Sequence, residues 1–136
     1  MTDGVATSFG GLFKVGETIT TASAVNTLQY RCYKAARDAG WWDAERHPFT
    51  FSNKLMLTVS ELAEAMEADR KGLKDDKLPH RDGREVELAD ALIRICDLAG
   101  AYGFDLGGAV EEKMAYNLSR QDHTREHRAA VGGKAY

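Results

Sequence analysis

REVELADALIRICDLAGAY, residues 84–102, decides the fold. Val86, Leu88, Ala89, Leu92, Ile93, Ile95, Cys96, Leu98 and Ala99 cover most of a helical circumference, and a helix apolar nearly all round is a buried one. Gly103 ends it. Working upstream, GLKDDKLPHRDG (72–83) is polar, holds Pro79, and reads as a connecting loop. Before it, residues 52–71 carry an apolar stripe of Leu55, Val59, Leu62 and Met66, with Ala63 beside it, and Gly72 stops the helix. GWWDAERHPFTF (40–51) is an aromatic loop. Residues 18–38 show Ile19, Ala22, Val25, Leu28, Cys32 and Ala36 on one face, with Gly40 as the C-terminal cap. Downstream, Asp105 is an N-cap for a fourth helix reaching about residue 120. The tail QDHTREHRAAVGGKAY (121–136) is polar and reads as irregular. No stretch alternates apolar and polar residues long enough for a strand.

The expected fold is therefore all-α, an antiparallel four-helix bundle that buries further surface by oligomerising. Residues 1–16 read as a flexible arm rich in Gly, Ser and Thr, and residues 17–136 as one domain. At 136 residues there is no room for a second core. MTDGVATSFGG lacks the basic-then-apolar pattern of a secretory leader, and no apolar run is long enough to span a membrane. Cys32 and Cys96 lie in amphipathic segments and read as reduced core thiols of a cytoplasmic protein. The net charge of −3 argues against polymeric nucleic acid as a partner. It leaves a nucleotide open, because a metal can supply the positive charge.

The acids carry the chemistry. Glu87, Asp90, Arg94 and Asp97 follow one another at steps of three, four and three, which places them on one stripe of an apolar helix. Burying unpaired carboxylates costs several kcal/mol. Arg94 is an internal counter-charge that answers one of them. Glu61 and Glu64 share a face of the preceding helix, and Glu67 continues it. A short loop joins the two helices, so antiparallel packing sets Glu61 and Glu64 opposite Glu87 and Asp90. Four converging carboxylates repel and raise one another's pKa, and a divalent cation removes the conflict. An all-oxygen set suits Mg²⁺, with Mn²⁺ as a substitute, and Mg²⁺ is commonly shared with substrate phosphates. For Glu61 and Glu64 alone, a solvated acidic face is the simpler reading. The third helix, with so little polar face, tips the balance. Asp97 and Glu67 read as structural or supporting groups.

Lys113, Asn117 and Arg120 share one face of the fourth helix and are candidate contacts to phosphate or sugar. Trp41 and Trp42 are candidate stacking surfaces for a base, one expected in the core and one at an interface. The four histidines form neither the Glu-x-x-His pairs of a di-iron bundle nor a zinc-protease motif. GGLFKVG lacks the ending of a phosphate loop.

On these residues the chain resembles a known superfamily. Glu61-x-x-Glu64 followed by Glu87-x-x-Asp90 is similar to the paired acidic signature of the all-α NTP pyrophosphohydrolases, which include the MazG-like proteins and the dimeric dUTPases. KLMLTVSELAEAMEADRKG (54–72) and ELADALIRICDLAGAYGFDL (87–106) resemble the MazG-like versions of the two metal helices. KMAYNLSR (113–120) and GGKAY (132–136) resemble its C-terminal elements. The tail departs from the pattern: Gln121 follows Arg120, and no His precedes Gly132-Gly133-Lys134. The resemblance implies Mg²⁺-dependent hydrolysis of a nucleoside triphosphate to a monophosphate and pyrophosphate. It implies Glu61, Glu64, Glu87 and Asp90 as metal ligands, with Glu61 or Glu64 as the base. Lys54, Lys113, Asn117 and Arg120 would contact substrate, and a homodimer or homotetramer is expected. The paired tryptophans lean the expectation toward a purine deoxynucleotide such as dGTP. The alternatives are a dUTPase-like pyrimidine specificity, a phosphoribosyl-ATP pyrophosphohydrolase, and a non-catalytic nucleotide-binding helical module.

Overall fold

A computed structural model describes residues 18–43 and 50–132. The expected N-terminal arm, His47, Pro48 and the final Gly133-Lys134 lie outside the described residues. The described chain is all-α. It comprises α1 (Thr21–Asp38), α2 (Phe51–Lys71), α3 (Gly83–Ala101), α4 (Leu106–Ser119) and the short α5 (Arg125–Ala129), with a single 3₁₀ turn at Gln121–His123. The tail thus holds two helical turns where an irregular segment was expected. Thr124 starts α5, its side chain accepting from the His127 backbone N–H.

Local chemistry sets the helix ends. The side chains of Thr20, Thr50, Asp82 and Asp105 each accept a backbone N–H of the first turn that follows. With Thr20 as its cap, α1 begins at Thr21 rather than at about residue 18, three residues shorter than expected. Gly72 terminates α2 at φ 64°, a left-handed conformation that favours glycine. An isolated antiparallel bridge between Lys74 and Asp82 then closes the 72–83 loop, and no longer strand occurs among the described residues.

α3 is the central element, with α1 and α2 both packed on it and α4 resting on α1. α2 and α3 run antiparallel: the Phe51 ring meets Tyr102 at one end, and Ala68 lies against Gly83 at the other. α1 is also antiparallel to α3. Gln29 Nε2 donates to the Phe104 carbonyl at 2.7 Å, and Gly100 faces the Tyr33 side chain. Asn26 ties α4 down, donating to Asp105 Oδ1 and accepting the Gly107 N–H, both at 2.8 Å. A Cβ at Gly100 would lie 2.9 Å from Tyr33 Cγ and closer still to Tyr33 Cβ. Gly100→Ala therefore forces α1 and α3 apart. We expect a loss of about 1–3 kcal/mol, read from the denaturation midpoint.

Two burial expectations are overturned. The α2 stripe Leu55, Val59, Leu62 and Met66 faces outward, Met66 at 70% exposure, whereas Lys54, Thr58, Glu61 and Ala68 are buried. α3 is not buried all round: Leu88, Leu92, Ile93 and Ile95 are exposed, Leu92 at 47%. The small residues explain it. Thr58 and Ala68 on α2, with Gly83, Ala91 and Ala99 on α3, dominate the close-packed faces; Leu98 is the large aliphatic side chain of α3 that joins them, while Leu88, Leu92, Ile93 and Ile95 stay outside. The α1 stripe likewise holds no fully buried residue. Cys96 is buried, Cys32 is half-buried, and both are free thiols. Burial, with the neighbouring Cys32, pushes the Cys96 thiol up to about 11, as an inert core thiol requires.

Candidate metal and nucleotide site

The antiparallel pairing of α2 and α3 brings carboxylates from both helices together. Oxygens of Glu61, Glu87 and Asp90 lie within 4.8 Å of one another. Glu61 is 7% exposed, Glu87 is half-buried and Asp90 is open to solvent. Arg94, one turn beyond Asp90, pairs with Glu61 through Nε, the internal counter-charge expected of it. Burial pushes the Glu87 carboxyl up, and the charges of Glu64, Glu61 and Asp90 push it further. Burial and then Glu61 push Asp90 up, while Arg94 opposes them. One cation does not neutralise the cluster, and the repulsion remains in the protein alone. The donor set is all oxygen and could hold a hard divalent cation.

Glu64 stands apart from this trio. Three residues on a helix fall about 60° short of a full turn, and Glu64 lies with Glu87 along a hollow lined also by Glu67, Asp75 and Asp76. Glu67 is taken up by ion pairs with Arg70, at 2.7 Å, and with Lys71.

Beside the trio, α1 and α2 leave a groove over α3 with a volume of about 940 Å³. That is ample for a nucleotide-sized ligand. Glu61 and Asp90 line it together with Arg94 and Asp97 from α3, Lys54 from α2, and Arg31 and Trp41 from the α1 side. Lys54, a sequence candidate, is buried with its ammonium 4.2 Å from the centre of the Trp42 ring. The two tryptophans differ in burial. Trp42 is half-buried, edge-on to Tyr33, and donates its indole N–H to Asp97 Oδ1 at 2.6 Å. Trp41 is 60% exposed on the groove wall. Arg31 and Asp97 were not among the sequence candidates for substrate contact. The signal for Asp97 was its place seven residues, two turns, after Asp90 on the same stripe.

The fourth helix does not reach this site within the chain. Lys113 and Arg120 sit over the Tyr116 ring, and Arg120 also pairs with Asp122. Asn117 carries a buried Oδ1 with no hydrogen-bond partner among the described residues. None of the three lines the groove or the acidic trio.

The fold and site together define an all-α protein with a carboxylate cluster at one end of a mixed-charge groove. No family model matches the chain, and no curated protein or solved structure is significantly similar to it. No helix among the described residues is long and apolar enough to cross a membrane.

Proposed function

We propose that this chain is a Mg²⁺-dependent nucleoside triphosphate pyrophosphohydrolase, cleaving a purine deoxynucleoside triphosphate to its monophosphate and pyrophosphate. The observation that carries the reading is the convergence of Glu61, Glu87 and Asp90, two of which, Glu61 and Asp90, also line the groove. Three acids brought together in this way, with one arginine between them, favour a divalent cation strongly. The groove then offers the rest of a nucleotide what it needs. Arg31 and Lys54 supply positive charge, and Trp41 supplies an aromatic face.

Glu61, Glu87 and Asp90 would hold the cation, which when bound supplies positive charge beside the phosphate oxygens. In the reaction, a water oxygen bonds to the α-phosphorus and the bond from that phosphorus to the α–β bridging oxygen breaks. Pyrophosphate leaves with that oxygen. The water proton passes to a carboxylate, and Glu64 suits the task. It lies one turn from Glu61 and outside the trio, so accepting a proton does not compete with holding the cation.

The finer features of the fold belong to the same proposal. In a homodimer or homotetramer, an antiparallel four-helix packing would cover the outward stripes of α2 and α3. Exposed apolar surface on this scale marks an interaction site. A neighbouring copy would also bring Lys113, Asn117 and Arg120 toward the phosphates, and Asn117 Oδ1 would gain the partner it lacks among the described residues. We place such an oligomer in the cytoplasm.

Glu64→Gln separates the two roles. We expect turnover of the triphosphates to fall by about a hundredfold or more, with helicity by circular dichroism and Mg²⁺ binding by calorimetry retained. Chelation by EDTA should abolish turnover in the wild type. Turnover that survives both treatments contradicts the proposal. A protein that binds nucleotide without cleaving any is the non-catalytic module.

A further inference from the structure

Asp97 has a position in the groove that the hydrolytic reading does not use. It lies seven residues after Asp90 on α3, which at about 1.5 Å per residue sets it about 10 Å along the axis. That is close to the reach of a nucleoside from its α-phosphate to the far edge of its base. The carboxylate lines the groove and is oriented from behind. Trp42 donates its indole N–H to Oδ1 at 2.6 Å, and the Trp42 ring is itself held edge-on by Tyr33. Each carboxylate oxygen accepts more than one hydrogen bond, so the bond from Trp42 does not exhaust Oδ1.

A fixed carboxylate offers two parallel acceptors. Among the bases, guanine presents two adjacent donors on one edge, the ring N1–H and the exocyclic 2-amino group. Adenine and uracil present one donor group flanked by acceptors, and cytosine one donor group beside a single acceptor, so in each a second carboxylate oxygen lacks an adjacent donor group. A bidentate, charge-assisted pair is both strong and directional. Trp41 on the groove wall offers a face to the same base.

We infer that Asp97 is the specificity-determining residue of the groove, and that it selects guanine nucleotides by accepting from N1–H and the 2-amino group. The inference rests on the nucleotide reading above and adds the identity of the base. It also gives Trp42 a role in positioning Asp97 rather than in stacking.

The test compares dGTP, dITP, dATP, dCTP and dUTP as substrates, with Mg²⁺, for the wild type and for Asp97→Asn. Hypoxanthine lacks only the 2-amino group, so dITP reads one of the two hydrogen bonds. In the wild type, kcat/KM for dGTP should exceed that for dITP by about tenfold or more, and the other bases should be worse. Asparagine keeps an oxygen for Trp42 but loses one acceptor. Asp97→Asn should therefore bring dGTP and dITP to within a few-fold of each other, because dGTP loses the additional bond that dITP never makes. Equal use of dGTP and dITP by the wild type overturns the inference and leaves the hydrolytic reading standing. So does a preference for another base, or an Asp97→Asn protein that keeps the wild-type preference. If no triphosphate is turned over by the wild type, the hydrolytic reading fails and the inference with it.

Discussion

Asp90→Asn should leave the metal-free protein as stable as the wild type, or more so, while removing its Mg²⁺-dependent activity. The variant loses one negative charge from a cluster whose members repel. Both Glu87 and Asp90 are held above their ordinary values of 4.5 and 3.8, by burial first and by neighbouring carboxylates next. The sign of the linkage follows. A carboxyl whose folded pKa is raised binds its proton more tightly when folded. Its contribution is fully present below the unfolded pKa and is lost as pH rises through the folded value. At neutral pH the charged cluster therefore opposes folding.

Other acids act in the opposite sense. Asp82, held down to about 2 by Arg84, favours folding above its unfolded value and ceases to do so as pH falls through about 2. The measurement is accordingly a difference. The thermal midpoint of Asp90→Asn relative to wild type, without metal, should rise as the pH is taken from 4 to 7. Millimolar Mg²⁺ should stabilise the wild type and not the variant. Turnover should fall by on the order of a hundred- to a thousandfold, the usual size for losing one preorganised charge at a reacting phosphate. A variant that is less stable than wild type without metal, and equally active with it, would mark Asp90 as an ordinary solvated acid.

Leu92→Glu should convert an oligomer to a monomer. Leu92 is 47% exposed and Leu88, one turn before it, is 56% exposed, on the central helix of the fold. A charge placed in a covered apolar face costs several kcal/mol when buried without a partner. The same charge on a solvated face costs almost nothing. Light scattering should show a dimer or tetramer for the wild type at micromolar concentration and a helical monomer for the variant. Activity should fall with assembly, because Lys113, Asn117 and Arg120 do not reach the groove within one chain. A wild-type protein that is monomeric at these concentrations contradicts the oligomer and the shared site together.

The helices were legible because their signals are local. The caps at Thr50, Asp82 and Asp105 and the stop at Gly72 act within one turn, and the ends of α1 to α4 fall within three residues of the reading. The opposition of Glu61 to Glu87 and Asp90 was legible too, since a short loop between two helices leaves antiparallel packing as the simple solution. The inward face of α2 was not. A stripe of Leu55, Val59, Leu62 and Met66 reads as core on periodicity alone, and here Thr58 and Ala68 pack inward instead. Choosing between large and small residues as the close-packed face depends on the partner surface, which a sequence pattern does not hold. The departure of Glu64 from the trio depends on the rotation of α2 about its axis, for which the spacing carried too little information. The bond from Trp42 to Asp97 spans 55 residues, and no periodicity links the two.

The central claim is that the acidic cluster serves attack by water on the α-phosphorus of a nucleoside triphosphate. Hydrolysis of dGTP with Mg²⁺ in ¹⁸O-labelled water, with the products separated and weighed by mass spectrometry, tests it most directly. One labelled oxygen is expected in the monophosphate and none in the pyrophosphate. Label in the pyrophosphate, release of orthophosphate, or no hydrolysis of dGTP or any other triphosphate would contradict it.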